Sequence, residues 1–307
     1  MEKVEAVDVR LVAFERDSKL NRTLRQSYRH CAQSARRAAS SFYWSFWLLP
    51  RAKRRATCAL YAFSRHTDDL SDNEQPVEIR RAAIAGWRDS LERALNENFD
   101  DPLFPALVDT LQQFDISPQY LHDIIEGVEM DLEPRRYQTF DDLREYCYRV
   151  ASAVGLACIH IWGFTSEKAK EPAIKCGLAF QLTNILRDLK EDAARDRVYL
   201  PLDDLQRFDY SAEELLEGVY DKRLTKIIRF ETDRAENLYR ESTELLPYLH
   251  PDGQRALETM MHTYWQLLAA IRKKADNPMN GRINLPTHRK VSIALSAAVG
   301  VIRSPVN

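Results

Sequence analysis

Residues 179–201 read AFQLTNILRDLKEDAARDRVYLP, and the spacing of their polar side chains frames the reading of the whole chain. Asn184, Asp188 and Asp192 recur every fourth residue, so on an α-helix they stand one above another on a single face. The apolar run before Arg187 is too hydrophobic for a solvated helix, which predicts a buried setting for Asn184 and its ladder. A second acid cluster lies far upstream in YAFSRHTDDLSD (61–72), where Asp68 and Asp72 are again four apart and Asp69 sits beside them. Carboxylates stacked in this way repel one another unless a cation lies between them. Oxygen ligands without His or Cys suit Mg²⁺, with Mn²⁺ as a substitute, and Mg²⁺ commonly completes its shell with water and substrate phosphate. The expectation is two carboxylate walls facing across a cavity, with Mg²⁺ and a diphosphate between them.

Outward from these clusters the chain reads as helix, and no run alternates as a strand should. Helices are predicted over 19–38, over 51–72 behind Pro50, and from Gln75-Pro76 to near Asn98. Two more start at Asp101-Pro102 and at Ser117-Pro118, with Ser117 as an N-cap. Thr139 should cap a helix through EYCYRVASAVGLACIHIWGF, which is apolar almost all round and therefore central. Glu171-Pro172 falls before or inside the helix of the second cluster, and AARDRVYLPLDD reads as a loop. Long helices follow at about 221–246 and 251–275, then the loop DNPMNGRINLP. Without a repeat period or a Gly/Ser-rich linker, the prediction is one all-α domain over 1–307, with 1–18 as a flexible N-terminal extension.

The 307 residues suffice for a large core, and 45% hydrophobic with 29% charged residues is an ordinary globular balance. Nine glycines argue against a Gly-rich nucleotide-binding fold, and a net charge of −2 with no strongly basic half gives nucleic acid no electrostatic case. Five cysteines without a CxxC pair read as reduced, buried thiols of a cytoplasmic protein. The N-terminus has no apolar signal region, and no apolar run reaches the roughly 18 residues of a membrane span. The segment 291–302 (VSIALSAAVGVI) is read as a helix docked on the core; lying at a membrane surface is the alternative.

Taken in order, SFYWSFWLLP (41–50), ALYAFSRHTDDLSD (59–72), EYCYRVASAVG (145–155), the 179–201 segment and TYWQLLAAI (263–271) resemble the squalene/phytoene synthase family. That family joins two prenyl diphosphates head to head, and the likeness spans about residues 25–290. It implies a single-domain, isoprenoid-synthase-type helical bundle with a central cavity. It also implies Asp68, Asp72, Asn184, Asp188 and Asp192 as Mg²⁺ ligands, the four acids being catalytic, while Asp69 holds a position the family fills variably. Arg65, Arg197 and Tyr199 become diphosphate contacts, Arg187 a further candidate, and Ser41 and Gln181 groups that orient the diphosphate. Phe42, Tyr61, Tyr146 and Tyr264 match cavity-lining positions. Their ring faces would stabilise carbocations, and the phenols of Tyr146 and Tyr264 could relay a proton.

Plainer readings stand beside these. Arg65 and Arg187 each precede an acid by four residues, Asp69 and Glu191, and such a helical pair contributes only about 0.3–0.5 kcal/mol. Trp44, Phe46 and Trp47 are read as core, His66 as structural, and RAKRR (51–55) as a solvated helix start. Gly155, costing about 1 kcal/mol in a helix, answers either to a prenyl chain or to tight helix packing.

The resemblance implies Mg²⁺-dependent 1′-1 condensation. SFYWSFWLLP and RVYLPLDDLQRF look most like bacterial C15 enzymes, which favours two farnesyl diphosphates giving presqualene diphosphate and a squalene-type C30 product. The alternative is phytoene from two C20 donors: Phe46 would narrow the chain tunnel, whereas the small Cys58 would widen it. The lack of a C-terminal anchor argues against an NADPH-dependent reduction, leaving NADPH and the oligomeric state open. Two other classes compete, a terpene cyclase and a non-catalytic, family-like assembly factor. The latter should have lost its motif acids, and here both clusters are intact.

Overall fold

Both acid clusters sit on continuous α-helices in the computed structural model, which describes residues 22–38, 42–275 and 293. In chain order the helices are α1 (22–37), α2 (Arg51–Asp72), α3 (Val77–Leu95), α4 (Phe104–Gln113), α5 (Gln119–Glu129) and α6 (Phe140–Cys147). They continue with α7 (Ala153–Trp162), α8 (Lys170–Ala193), α9 (Leu202–Arg207), α10 (Ala212–Leu216), α11 (Lys222–Ser242) and α12 (Pro251–Lys274). Among the described residues there is no strand, only an isolated bridge between Phe164 and Leu249. Of the segments singled out in the sequence, 1–18, Ser41 and DNPMNGRINLP lie outside the described residues, as does 291–302 apart from Ile293.

Local chemistry explains most boundaries. Pro50 takes the N-cap position of α2, and the next 22 residues contain neither Gly nor Pro. Ala56, Ala59, Leu60, Phe63 and Thr67 bury one stripe of it, and the helix stops where Asn73 turns extended. At α6 the expected Thr139 cap is a full capping box with Asp142. Ser117 falls one residue before the N-cap of α5, which is Pro118, though its Oγ accepts from the Gln119 amide at 3.3 Å.

The long central helix predicted after Thr139 is not α throughout. Residues Tyr148–Ser152 widen into a π-helical turn between α6 and α7, and Gly163, at φ 84°, ends the run. Two glycines let neighbours close on that turn. A Cβ on Gly127 of α5 would lie 2.7 Å from Val150 Cγ1, and one on Gly177 of α8 would lie 2.6 Å from Ser152 Cα. At Gly155 a Cβ would meet only the Ala173 carbonyl at 3.6 Å, so that glycine faces α8 without being crowded.

Three other expectations need correction. The helix predicted to about 246 leaves α geometry after Ser242 and tightens into a 3₁₀ segment, Thr243–Tyr248, where Pro247 lacks the amide a helix interior needs. Within RAKRR, Lys53 is not solvated: its Nζ donates to the Trp162 carbonyl at 2.6 Å and pairs with Asp252 at 2.8 Å. It thereby ties α2 to the end of α7 and the start of α12. Trp47, read as core, is 58% exposed, while Phe46 beside it is buried. All five cysteines are free and buried. Among the described residues no helix is long and apolar enough to cross a membrane.

Candidate active site

Helices α2 and α8 line opposite sides of a cavity of about 480 Å³, and α12 and the π-turn complete it. Asp68 and Asp72 border it from α2, and Asn184, Asp188 and Asp192 border it from α8, as four-residue spacing requires. Every predicted site residue borders this cavity except Ser41, which is outside the described residues. Phe42, Tyr61, Arg65, Tyr146, Gln181, Arg187, Arg197, Tyr199 and Tyr264 are thus gathered around the two walls.

Guanidinium groups tie the acids down. Asp72 accepts from Arg197 at 3.0 Å and from Arg195 at 3.2 Å, so the loop after α8 reaches across to the α2 wall. Arg187 grips Asp188 with two hydrogen bonds of 2.8 and 2.5 Å. The pairing of Arg187 with Glu191 considered from spacing is therefore not formed; a partly buried carboxylate at the next position wins, because the fork can meet both its oxygens. Arg65 does pair with Asp69, on the exposed side of α2. His66 stacks against Trp87 with ring centroids 4.3 Å apart.

Two acids remain poorly compensated. Burial pushes the Asp68 carboxyl up to about 7, Arg65 opposing and Asp72 and Asp131 adding to it. Burial likewise raises Asp192 to about 7, with Asp188 adding and Arg197 opposing. Among the described residues, no three His, Cys, Asp or Glu side chains converge into a ready metal cage. The donor set is carboxylate and amide only and is split between two walls. It fits divalent cations shared with a substrate diphosphate rather than enclosed by protein.

Asp131 is the residue that sequence reasoning missed. It sits on the 3₁₀ turn Met130–Leu132 and borders the cavity. Its carboxylate accepts from Tyr146 Oη at 2.9 Å and Tyr199 Oη at 2.7 Å, and its backbone carbonyl accepts from Arg197 at 3.1 Å. The rings of Tyr146 and Tyr199 stack, centroids 5.1 Å apart, with Tyr137 against both. Burial raises the Asp131 carboxyl, opposed by Arg197 and the two phenols. Little in the sequence signals it, because Asp131 is the middle of three acids in the run EMDLE (129–133) and reads as one more charge there.

Another part of the cavity is aromatic. Phe42 and Tyr264 stack at 4.7 Å with planes 5° apart, and Phe180 leans on Tyr264 at 4.8 Å. Tyr264 Oη donates to Asn184 Oδ1 at 3.2 Å. Asn184 is half-buried rather than buried, its amide facing the cavity. Behind Phe42 and Tyr61 lies a small separate cluster of Ala35, Phe46 and Cys58. The site thus joins charged walls suited to diphosphate to an aromatic group suited to hydrocarbon, with Tyr264 touching both.

Comparison with known proteins shows what the chain is similar to. The family model described as squalene/phytoene synthase matches residues 35–293. The phytoene synthase of Arthrospira platensis is 39% identical over 283 residues, covering 88% of this chain and 91% of that protein. The 15-cis-phytoene synthase of Synechococcus elongatus is 36% identical over 303 residues, covering 95% and 97% respectively. Among solved structures, a dehydrosqualene synthase superposes with a TM-score of 0.81 at 30% identity, over 92% of this chain and 99% of the other. The squalene synthase HpnC from Alicyclobacillus acidocaldarius gives 0.77 at 28% identity, over 83% and 97%.

Proposed function

The chain belongs to the squalene/phytoene synthase family, prenyltransferases that join two prenyl diphosphates head to head, and we propose that its donors are two C20 geranylgeranyl diphosphates and its product phytoene. The observation that carries the chemistry is the pair of acid walls on α2 and α8 around one cavity that also holds an aromatic group. The C20 choice is supported by the names of the two bacterial relatives. It is also supported by the small Cys58 beside Ala35 behind Tyr61, where a bulky side chain would shorten the hydrocarbon space. The lean towards C15 donors drawn from SFYWSFWLLP is set aside on these grounds.

In this reading Asp68, Asp72, Asn184, Asp188 and Asp192 hold Mg²⁺, which when bound neutralises the diphosphate as a Lewis acid. Arg65, Arg187 and Arg197 hydrogen-bond the diphosphate of the first donor, and charge developing on its bridging oxygen strengthens those bonds. The C1–O bond breaks and leaves an allylic cation against the rings of Phe42, Tyr61 and Tyr264, which stabilise it by about 2 kcal/mol or more in a dry site. The C2=C3 electrons of the second donor form the new carbon–carbon bond, and loss of a proton closes a cyclopropane. Tyr146 and Tyr199 donate their hydroxyl protons to Asp131, so either phenol takes that proton as it passes its own along the hydrogen bond to the Asp131 carboxylate, the final acceptor. Loss of the second diphosphate, rearrangement and a further proton loss give the linear C40 alkene, with no reductant required.

A C15 reading rests on Phe46, which is buried edge-on to Tyr61 at 5.9 Å in the same cluster, and on the likeness to a dehydrosqualene synthase. The deciding experiment supplies Mg²⁺ and either donor alone, with and without NADPH, and identifies products by mass spectrometry before and after phosphatase treatment. A C40 alkene from the C20 donor is expected. A C30 product with no C40 would overturn the donor assignment, and a cyclic product from one donor would return the terpene cyclase.

A further inference from the structure

A second cavity, of about 390 Å³, lies against the end of α2. Ser71, Asp72, Asp131 and Arg197 border both cavities, so the two meet along the Asp72–Arg197 ion pair. Arg80, near the start of α3, borders the second cavity and not the first. Its Nη1 donates to the Ser71 carbonyl at 2.7 Å, while its Nε is buried without a hydrogen-bond partner. No carboxylate pairs with it among the described residues, so a half-buried guanidinium is held by one nitrogen and its charge is met by no acid. Arg195 and Arg197 stand on the same wall and share the single carboxylate of Asp72, at 3.2 and 3.0 Å. Of the other acids there, Asp131 accepts from two phenols and Glu133 pairs with Arg81, while Glu74 is exposed to solvent that screens it. Among the described residues the wall offers a hydrocarbon only Leu132 and Pro134, and it carries no aromatic ring. Its chemistry suits a small polyanion, which Arg binds with paired, charge-assisted hydrogen bonds.

We propose that this second cavity receives the inorganic diphosphate released in the first, with Arg80, Arg195 and Arg197 as its guanidinium partners. Each ionisation frees one diphosphate, so two are freed per turnover, and a chamber beside the acid walls takes the first while the second C–O bond is still intact. Arg197 borders both cavities and keeps hold of the anion as it moves from one to the other. The polar product thus leaves past the end of α2, and the hydrocarbon stays against Phe42, Phe180 and Tyr264. This rests on the prenyl-diphosphate reading of the first cavity but holds for either donor chain length.

The test is equilibrium dialysis of the full-length protein with labelled inorganic diphosphate and Mg²⁺, alone and with the first cavity saturated by thiolodiphosphate analogues of the C15 and C20 donors, whose C–S bond does not ionise. With the analogue bound, inorganic diphosphate should still bind. Arg80→Gln should weaken that binding about 10-fold or more and leave the affinity for the analogue unchanged, while Arg80→Lys should restore part of it. No diphosphate binding to the analogue-saturated protein, or binding that Arg80→Gln leaves unchanged, would overturn the proposal. So would an equal loss of analogue affinity in Arg80→Gln, which would make Arg80 only a support for the end of α2. Failure of both analogues to bind would count against the prenyl donors instead. The second cavity is then scored by dialysis without analogue, where Arg80→Gln should remove one of the diphosphate sites and an unchanged number of sites would overturn the proposal.

Discussion

Replacing Glu231 with Gln should barely disturb this protein at pH 6 yet remove roughly 2–3 kcal/mol of its loss of stability between pH 6 and pH 9. Glu231 is fully buried on α11, and Arg234 binds both its oxygens at 2.7 and 2.8 Å. The same Arg234 Nη1 donates to Asp204 of α9 at 2.7 Å, and its guanidinium lies 4.2 Å over the Phe140 ring. Two carboxyls thus share one cation in a dry site, and one of them keeps its proton. Burial, with Asp204 adding and Arg234 opposing, pushes Glu231 up to about 8. An unfolded Glu titrates near 4.3, so between those values the folded state binds the extra proton and stability falls as pH rises. The contribution is fully present below the unfolded value and is lost by the time pH has passed 8. At about 1.36 kcal/mol per unit, the span from pH 6 to pH 9 carries roughly 2–3 kcal/mol.

Gln reproduces the shape of the protonated acid without titrating. In urea denaturation followed by circular dichroism, Glu231→Gln should match the parent within about 1 kcal/mol at pH 6 and show a pH 6-to-9 difference smaller by roughly 2–3 kcal/mol. Glu231→Ala should cost about 3–5 kcal/mol at pH 6, because it strips the Arg234 guanidinium of one of its two partners, and roughly 2–3 kcal/mol less at pH 9, where the parent has lost the contribution of the protonated acid. An unchanged pH dependence in Glu231→Gln, or a loss above about 2 kcal/mol at pH 6, would refute the shared-proton reasoning. The pair matters to the site because α9 directly follows the loop that carries Arg197 and Tyr199 to the cavity.

Further outcomes are expected at the site and its supports. Asp72→Asn and Asp188→Asn should each lower turnover by on the order of 10²-fold or more with the circular dichroism spectrum intact, and full activity in either would sink the wall assignment. Asp131→Asn keeps one good acceptor for two phenols, so turnover should fall about 10-fold or more while the melting temperature drops only modestly, which steady-state kinetics and a thermal melt would check. Gly177→Ala drives a methyl into the backbone of Ser152, and a loss of about 1–3 kcal/mol should appear as a lower urea midpoint.

Much of the site was legible because its decisive information is local. Four-residue spacing puts Asn184, Asp188 and Asp192 on one face whatever packs around them, and the same geometry pairs Asp68 with Asp72. Helix starts at Pro50 and Thr139 follow from the dihedral limit of proline and the capping oxygen of threonine, both properties of a few neighbouring residues. The all-α class follows from apolar periodicity summed over those segments.

Contacts between distant residues were not legible. Asp131 matters through Tyr146 and Tyr199, which lie 15 and 68 positions away, and nothing in its own neighbourhood announces them. Lys53 reads as one charge in a basic run until the fold brings the Trp162 carbonyl and Asp252 to its Nζ. Arg187 had two acids within reach, and burial beside Asp188 chose between them. Trp47 reads as core from composition, yet the turn that carries it points it outward. By itself the sequence determined which residues share a helix face, since the covalent chain sets that spacing. Only the tertiary structure decided which faces meet, since partners are chosen by packing and by the desolvation of charge.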